Sequence, residues 1–124
     1  MNREEKEYLV SKVTDEIYQA YPFLWEKFGE NGIERTKEDN YHHLDHLAAA
    51  CEMKSEMLFI DYTNWLNNVL TSRGVDSHLI VDNFERLLRL LGEKSWNSQD
   101  EVICYKNYLQ AAIEHMHTLW HEEE

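Results

Sequence analysis

Two sets of carboxylate and imidazole side chains supply the residue types that bind transition metals. In each set a carboxylate is followed by one His three positions later and a second His seven positions later, so the side chains project from one helix face. The sets are Asp39, His42 and His46, and Glu114, His117 and His121. Carboxylate and imidazole ligands suit zinc, iron or nickel. One interpretation is therefore a metal-binding helical bundle, or a metal-dependent enzyme, in which the two sets face each other.

A solvated helix face is the simpler interpretation of the same residues. The first set points away from the apolar stripe of its own helix. Glu114 and His117 match the Glu-x-x-His unit of di-iron bundles, but those bundles need two such units and two further inward Glu residues, and this sequence holds one unit. The first expectation is therefore that no cofactor is bound, and a metal ion is the alternative.

His43 differs from the other histidines because it lies at the edge of the predicted apolar face of its helix. A half-buried imidazole needs a hydrogen-bond partner, and Asp61 or Tyr62 on the next predicted helix is placed to supply one. The first interpretation is a core histidine with a satisfied hydrogen bond. The second is a contact to a flat organic cofactor, such as haem or a bilin, or a pH-sensitive switch.

The charge of the chain disfavours two classes of partner. Its 124 residues include 24 acidic and 12 basic side chains, and the net charge of −12 is spread along the sequence. Binding to nucleic acid or to an anionic membrane rests on Lys and Arg, so neither partner is expected. No Gly-rich phosphate loop, serine nucleophile elbow or HExxH motif occurs, so these motifs give no support to a catalytic activity.

The cysteines and the N-terminal segment bear on the cellular compartment. Cys51 and Cys104 have no CxxC spacing and fall on predicted apolar stripes, so we expect reduced, buried thiols rather than a disulfide. The segment MNREEKEYLV is too charged for a secretory signal, and no apolar run is long enough to cross a bilayer. These features together predict a cytoplasmic protein.

Helical spacing of apolar residues determines how these side chains are positioned. One helix is predicted over 3–20, followed by a short helix from Pro22 and a turn over 29–32. The predicted caps of the later helices are Thr36, Ser55, Asp76 or Ser77, and Asn97 or Ser98. The apolar stripes of the third and fourth helices place Tyr41, Leu58 and Trp65 in the core. The prediction is one all-α domain over residues 1–124, with about five to six helices in a helical bundle or in globin-like orthogonal packing.

Two adjacent segments resemble a small helical domain of bacterial regulatory proteins. They are Asp39-x3-His43-Leu44-x2-Leu47-Ala48-x-Ala50 and LFIDYTNWLNNVLTSRGV, residues 58–75. The domain they resemble is often found ahead of a cobalamin-binding or other signalling module. The resemblance implies an all-helical, globin-like sensory or interaction domain whose characteristic positions here are His43, Asp61, Tyr62 and Trp65. Cobalamin binding is not implied, because no Asp-x-His-x-x-Gly motif occurs.

Together these features predict a stand-alone helical regulatory or sensor-type domain that acts by protein–protein contact, as a homodimer or with another protein, and without catalysis. A metal-binding bundle that uses the two His and carboxylate sets is the alternative. A haem- or bilin-type cofactor site at His43 is the third interpretation.

Overall fold

The computed structural model describes residues 1–123, and five α-helices account for most of them. They are α1 (Arg3–Ala20), α2 (Pro22–Glu52), α3 (Glu56–Ser72), α4 (Ser77–Leu91) and α5 (Gln99–Glu123). α5 packs against α2, α3 and α4, and α1 packs against α2 and α4, which gives a single helical bundle. No strand occurs among residues 1–123, so the all-α prediction is confirmed. None of the helices in this range has both the length and the apolar composition needed to span a membrane.

Side-chain caps start four of the helices close to the predicted positions. Side-chain oxygens of Asn2, Ser55, Asp76 and Ser98 accept hydrogen bonds from backbone N–H groups in the first turns of α1, α3, α4 and α5. The first N–H groups of a helix have no carbonyl partner one turn earlier in the same helix, so such caps supply acceptors for them. The cap predicted at Ser55 is confirmed, and of the two pairs of alternatives the caps are Asp76 and Ser98.

The predicted start of the third helix at Thr36 is wrong. The chain bends at Gly29, whose φ of 61° and ψ of −152° lie outside the range that other residues adopt easily, and the helix then resumes within α2. The Thr36 hydroxyl donates a hydrogen bond to the Gly32 carbonyl at 2.8 Å, so Thr36 lies inside α2 and does not cap it. A Cβ at Gly32 would collide with Phe28 and with the Tyr18 hydroxyl, so this glycine allows α1 to approach closely. The predicted four-residue turn over 29–32 is therefore a bend of the helix at the single residue Gly29.

The buried faces of α2 and α3 also differ from the predicted stripes. Tyr41, Leu58 and Trp65 are 37%, 46% and 59% exposed, although each was assigned to the core. The predicted core positions Leu44, Leu47, Tyr62 and Leu66 are buried, and so are Asn40, His43 and Ala50 on α2 and Phe59, Ile60 and Thr63 on α3. The prediction counted apolar residues only, whereas the buried faces of these two helices include polar side chains.

A disulfide joins Cys51, near the end of α2, to Cys104 in α5. The prediction of reduced thiols is therefore wrong. Both cysteines are partly buried, and the sequence does not show that the helix faces that carry them meet. Disulfides are rare in reducing compartments, so the cytoplasmic prediction loses one of its supports and stays a prediction.

We expect the disulfide to be a large contributor to the stability of the bundle. It connects residues 53 positions apart, and cross-linking a loop of that length removes unfolded-state entropy worth about 4 kcal/mol. Replacing Cys51 and Cys104 together with Ser should lower the free energy of unfolding in urea by about that amount. Dithiothreitol should destabilise the native chain similarly and leave the double variant unchanged. A loss below about 1 kcal/mol would show that the loop-entropy account does not apply here.

Candidate functional site

A cavity of about 540 Å³ lies between α1, α2, the end of α3 and the start of α4. Because α2 bends at Gly29, both of its segments line this cavity, with Leu24 and Phe28 on the first and His43 on the second. Ile17 from α1 and Leu79 from α4 complete the apolar wall. Pockets that bind small molecules have volumes in this range and are mostly apolar, with a few polar groups that orient the ligand.

The rim of the cavity carries charged side chains of both signs. Arg35, Glu38 and Asp39 come from α2, and Arg73 follows the end of α3. Asp39 is half-buried, and burial raises the pKa of its carboxyl group, although His42 and the two arginines oppose that shift. The cavity therefore combines an apolar interior with a rim that can meet a charged group.

His43 borders the cavity and is 3% exposed. Its Nδ1 lies 2.6 Å from the Tyr62 hydroxyl oxygen, which confirms one of the two predicted partners, while Asp61 is exposed. Burial, reinforced by His42 and His46, lowers the pKa of His43 to about 3, so the imidazole is neutral at physiological pH. No hydrogen bond joins its second nitrogen, Nε2, to any residue in the described range.

A series of aromatic rings in contact connects His43 with the protein surface. Tyr62, the partner of His43, stacks on His46 with ring centroids 3.9 Å apart and an interplanar angle of 15°. Tyr62 also stacks against Trp65 at 6.0 Å and 29°. We call His43, Tyr62, His46 and Trp65 the ring column. Its inner end borders the cavity, and its outer end is the Trp65 indole, which is 59% exposed.

A buried amide pair lies beside the cavity and was missed by the sequence analysis. The Nδ2 group of Asn40 donates to Oδ1 of Asn83 at 3.0 Å, and Nδ2 of Asn83 donates to Oδ1 of Asn40 at 2.7 Å. Nδ2 of Asn40 also donates to the Thr36 carbonyl at 2.9 Å. The available signal was that Asn83 falls on the apolar stripe of α4, between Ile80 and Leu87 at helical spacing.

The two sets of predicted metal ligands do not form a metal site in the part of the chain that the structure describes. Among residues 1–123, no three His, Cys, Asp or Glu side chains are placed to hold a metal ion. In the first set Asp39 lines the cavity, His42 is exposed and His46 stacks on Tyr62. In the second set Glu114, His117 and His121 are exposed, and His117 contacts Trp120 at 5.2 Å between ring centroids. The metal-binding interpretation therefore gains no support from this geometry.

The fold and the site together define a small all-α bundle with a ligand-sized cavity beside a buried, neutral histidine. No protein-family model, curated protein or solved structure matches this chain. The resemblance of residues 39–75 to a helical domain of bacterial regulatory proteins therefore stays a prediction.

We expect His43 to make stability depend on pH. In the unfolded chain this imidazole takes up a proton below its ordinary pKa of 6.5, whereas in the fold it does so only near pH 3. The stability it contributes is therefore complete above pH 6.5 and is lost as the pH falls towards 3, by about 1.4 kcal/mol per pH unit. Between pH 7 and pH 5, the native chain should lose about 2 kcal/mol more in urea unfolding than His43→Gln.

The exposed His117 supplies the matched control. His117→Gln should keep the pH dependence of the native chain, because its side chain faces solvent in the folded protein. Equal pH dependence in the native chain and His43→Gln would contradict the account of a buried, neutral imidazole.

Proposed function

We propose that this chain is a small, non-catalytic regulatory domain of the sensor type, which binds a small molecule in its cavity and responds through contact with another protein. The ring column is the observation that carries the proposal. It joins a buried imidazole at the cavity wall to an exposed indole through one hydrogen bond and stacked rings. In this proposal the ligand binds at the cavity, the partner binds at Trp65, and the ring column connects the two.

The ring column can pass a displacement from the cavity to the surface. A ligand that meets Nε2 of His43 shifts the imidazole, and the 2.6 Å hydrogen bond carries the shift to the Tyr62 hydroxyl. Tyr62 is buried, and its ring contacts both His46 and Trp65, so a shift of Tyr62 changes both contacts. The orientation of Trp65 should follow.

The output surface is the exposed apolar part of α3 around Trp65. Leu58 and Trp65 are seven residues apart, so they share one helix face, and Met57 precedes Leu58 in the first turn of α3. These side chains are 46%, 59% and 61% exposed, respectively. Aromatic residues and Met are enriched in protein–protein interfaces, and self-complementary dimers are the commonest assemblies. We therefore propose a second copy of this chain as the partner.

A haem- or bilin-type cofactor held through His43 is the second candidate. An axial imidazole must be neutral, must offer Nε2 and is usually oriented by a hydrogen bond at Nδ1. His43 meets these three requirements through its low pKa, its unbonded Nε2 and its contact with Tyr62. Both candidate functions use the same cavity. Identifying the molecule that binds there distinguishes between them.

Trp65→Ala should weaken self-association. A buried interface Trp contributes about 2 kcal/mol or more to dimerisation, which corresponds to roughly a thirtyfold increase in the dissociation constant. Sedimentation velocity over a range of protein concentrations measures this constant.

The control is Trp25→Ala, because Trp25 is 49% exposed but lies at the start of α2, outside the ring column. It should dimerise as the native chain does, and circular dichroism should show that both variants are folded. A native chain that remains monomeric, or equal weakening in both variants, would contradict the proposed output surface.

A further inference from the structure

The arginines of this chain divide into two groups by their partners. Arg3, Arg86 and Arg89 each form an ion pair with a carboxylate, as in the contact of Arg86 with Asp82 at 2.7 Å. The remaining two, Arg35 and Arg73, form no ion pair within residues 1–123, and both line the cavity. The arginines that lack an ion pair are therefore found at one place in the fold.

Arg35 and Arg73 are distinguished by their position, because both line the same cavity. With 24 acidic and 12 basic side chains, many carboxylates must lack a cation, so unpaired Glu38 and Asp39 at the same rim carry little information. Five of the seven lysines also lack an ion pair within residues 1–123, so the position of Arg35 and Arg73 at the cavity matters more than the absence of a partner. Arg35 and Arg73 do lower the pKa of Asp39, but burial outweighs them and the net shift is upward. Asp39 is therefore not held as a strongly ion-paired carboxylate.

The interior of the cavity indicates what kind of molecule could bind beside the two arginines. Leu24, Phe28, Leu70 and Leu79 present hydrocarbon, and His43 and Asn83 are the polar groups among the buried lining residues. A small hydrophilic anion would leave the apolar wall without contact. A molecule that joins an anionic head to a hydrocarbon body would satisfy both the rim and the wall.

We infer that the cavity binds an amphipathic carboxylate, with its head at Arg35 and Arg73 and its hydrocarbon body against Leu24, Phe28 and Leu79. Guanidinium groups match the planar geometry of a carboxylate and bind it through paired hydrogen bonds. A singly charged carboxylate fits better than a dianionic phosphate, because Glu38 and Asp39 repel the second negative charge. A medium-chain fatty acid is the simplest member of this class. The inference deepens the proposed function, on which it rests, by naming the molecule that the cavity receives.

The test is a titration of the full chain with decanoate carrying carbon-13 at its carboxyl group, kept below the concentration at which micelles form. Saturable binding should shift the carboxyl resonance, and decanol should bind at least about tenfold more weakly. Arg35→Gln and Arg73→Gln should each weaken decanoate binding about tenfold, while decanol binding stays unchanged in both.

Arg3→Gln is the matched control, because Arg3 is an exposed, ion-paired arginine at the start of α1 and does not line the cavity. It should bind decanoate as the native chain does. Four results would overturn the inference: no saturable binding of decanoate, equal binding of decanol, tighter binding of decyl phosphate, or an equal loss in Arg3→Gln. Haemin binding with an intense visible band that His43→Ala abolishes would also overturn it, in favour of a tetrapyrrole.

Sedimentation velocity with and without decanoate separates this inference from the proposed function. If decanoate binds through Arg35 and Arg73 but changes neither self-association nor the environment of Trp65, the ligand class holds and the sensor function fails. If Trp65→Ala disrupts a dimer while decanoate does not bind, the output surface holds and the ligand class fails.

Discussion

The hydrogen bond between His43 and Tyr62 is the interaction on which the arrangement of the site depends. Burying an imidazole and a phenol is unfavourable unless each finds a partner, and here each is the partner of the other across α2 and α3. Because these two side chains must point inward, they determine which faces of α2 and α3 are buried. Tyr41 and Trp65 are then turned towards solvent even though they are apolar. The exposed end of the ring column is thus a consequence of its buried end.

The cavity follows from two further constraints on α2. The bend at Gly29 turns the first segment of the helix, so that Leu24 and Phe28 face the same space as His43. The reciprocal amide bonds of Asn40 and Asn83 join α2 to α4 beside that space. Moving these helices together to close the cavity would disturb hydrogen bonds between buried groups, and leaving such groups unpaired is costly. The volume is therefore kept open by polar pairs that resist collapse.

The features of this structure that could be predicted are those that depend on residues close together in the sequence. A cap such as Ser55 acts on an N–H group three residues away, and the stripe through Leu9, Val13 and Ile17 repeats within one helix, so both are visible in a single sequence. The pairing of Asn40 with Asn83 and of Cys51 with Cys104 spans 43 and 53 positions. Those pairs exist only after packing brings two helix faces together. The cavity could not be predicted for the same reason, since it depends on four elements and on one glycine.

The charge of the chain and the character of the cavity together determine which anions can bind. A net charge of −12 repels anions at long range, although salt screens much of that repulsion beyond about 10 Å. Two guanidinium groups at the rim attract a carboxylate locally, but they share the rim with Glu38 and Asp39 and do not overcome the overall field for every anion. Burial of hydrocarbon supplies about 25 cal/mol for each Å² removed from water, whatever the charge of the protein. For the proposed carboxylate, most of the affinity is expected to come from its apolar body, and Arg35 and Arg73 are expected to add a smaller share and to orient its head. On this account, the domain should bind small inorganic anions weakly and anions that carry a hydrocarbon body more tightly.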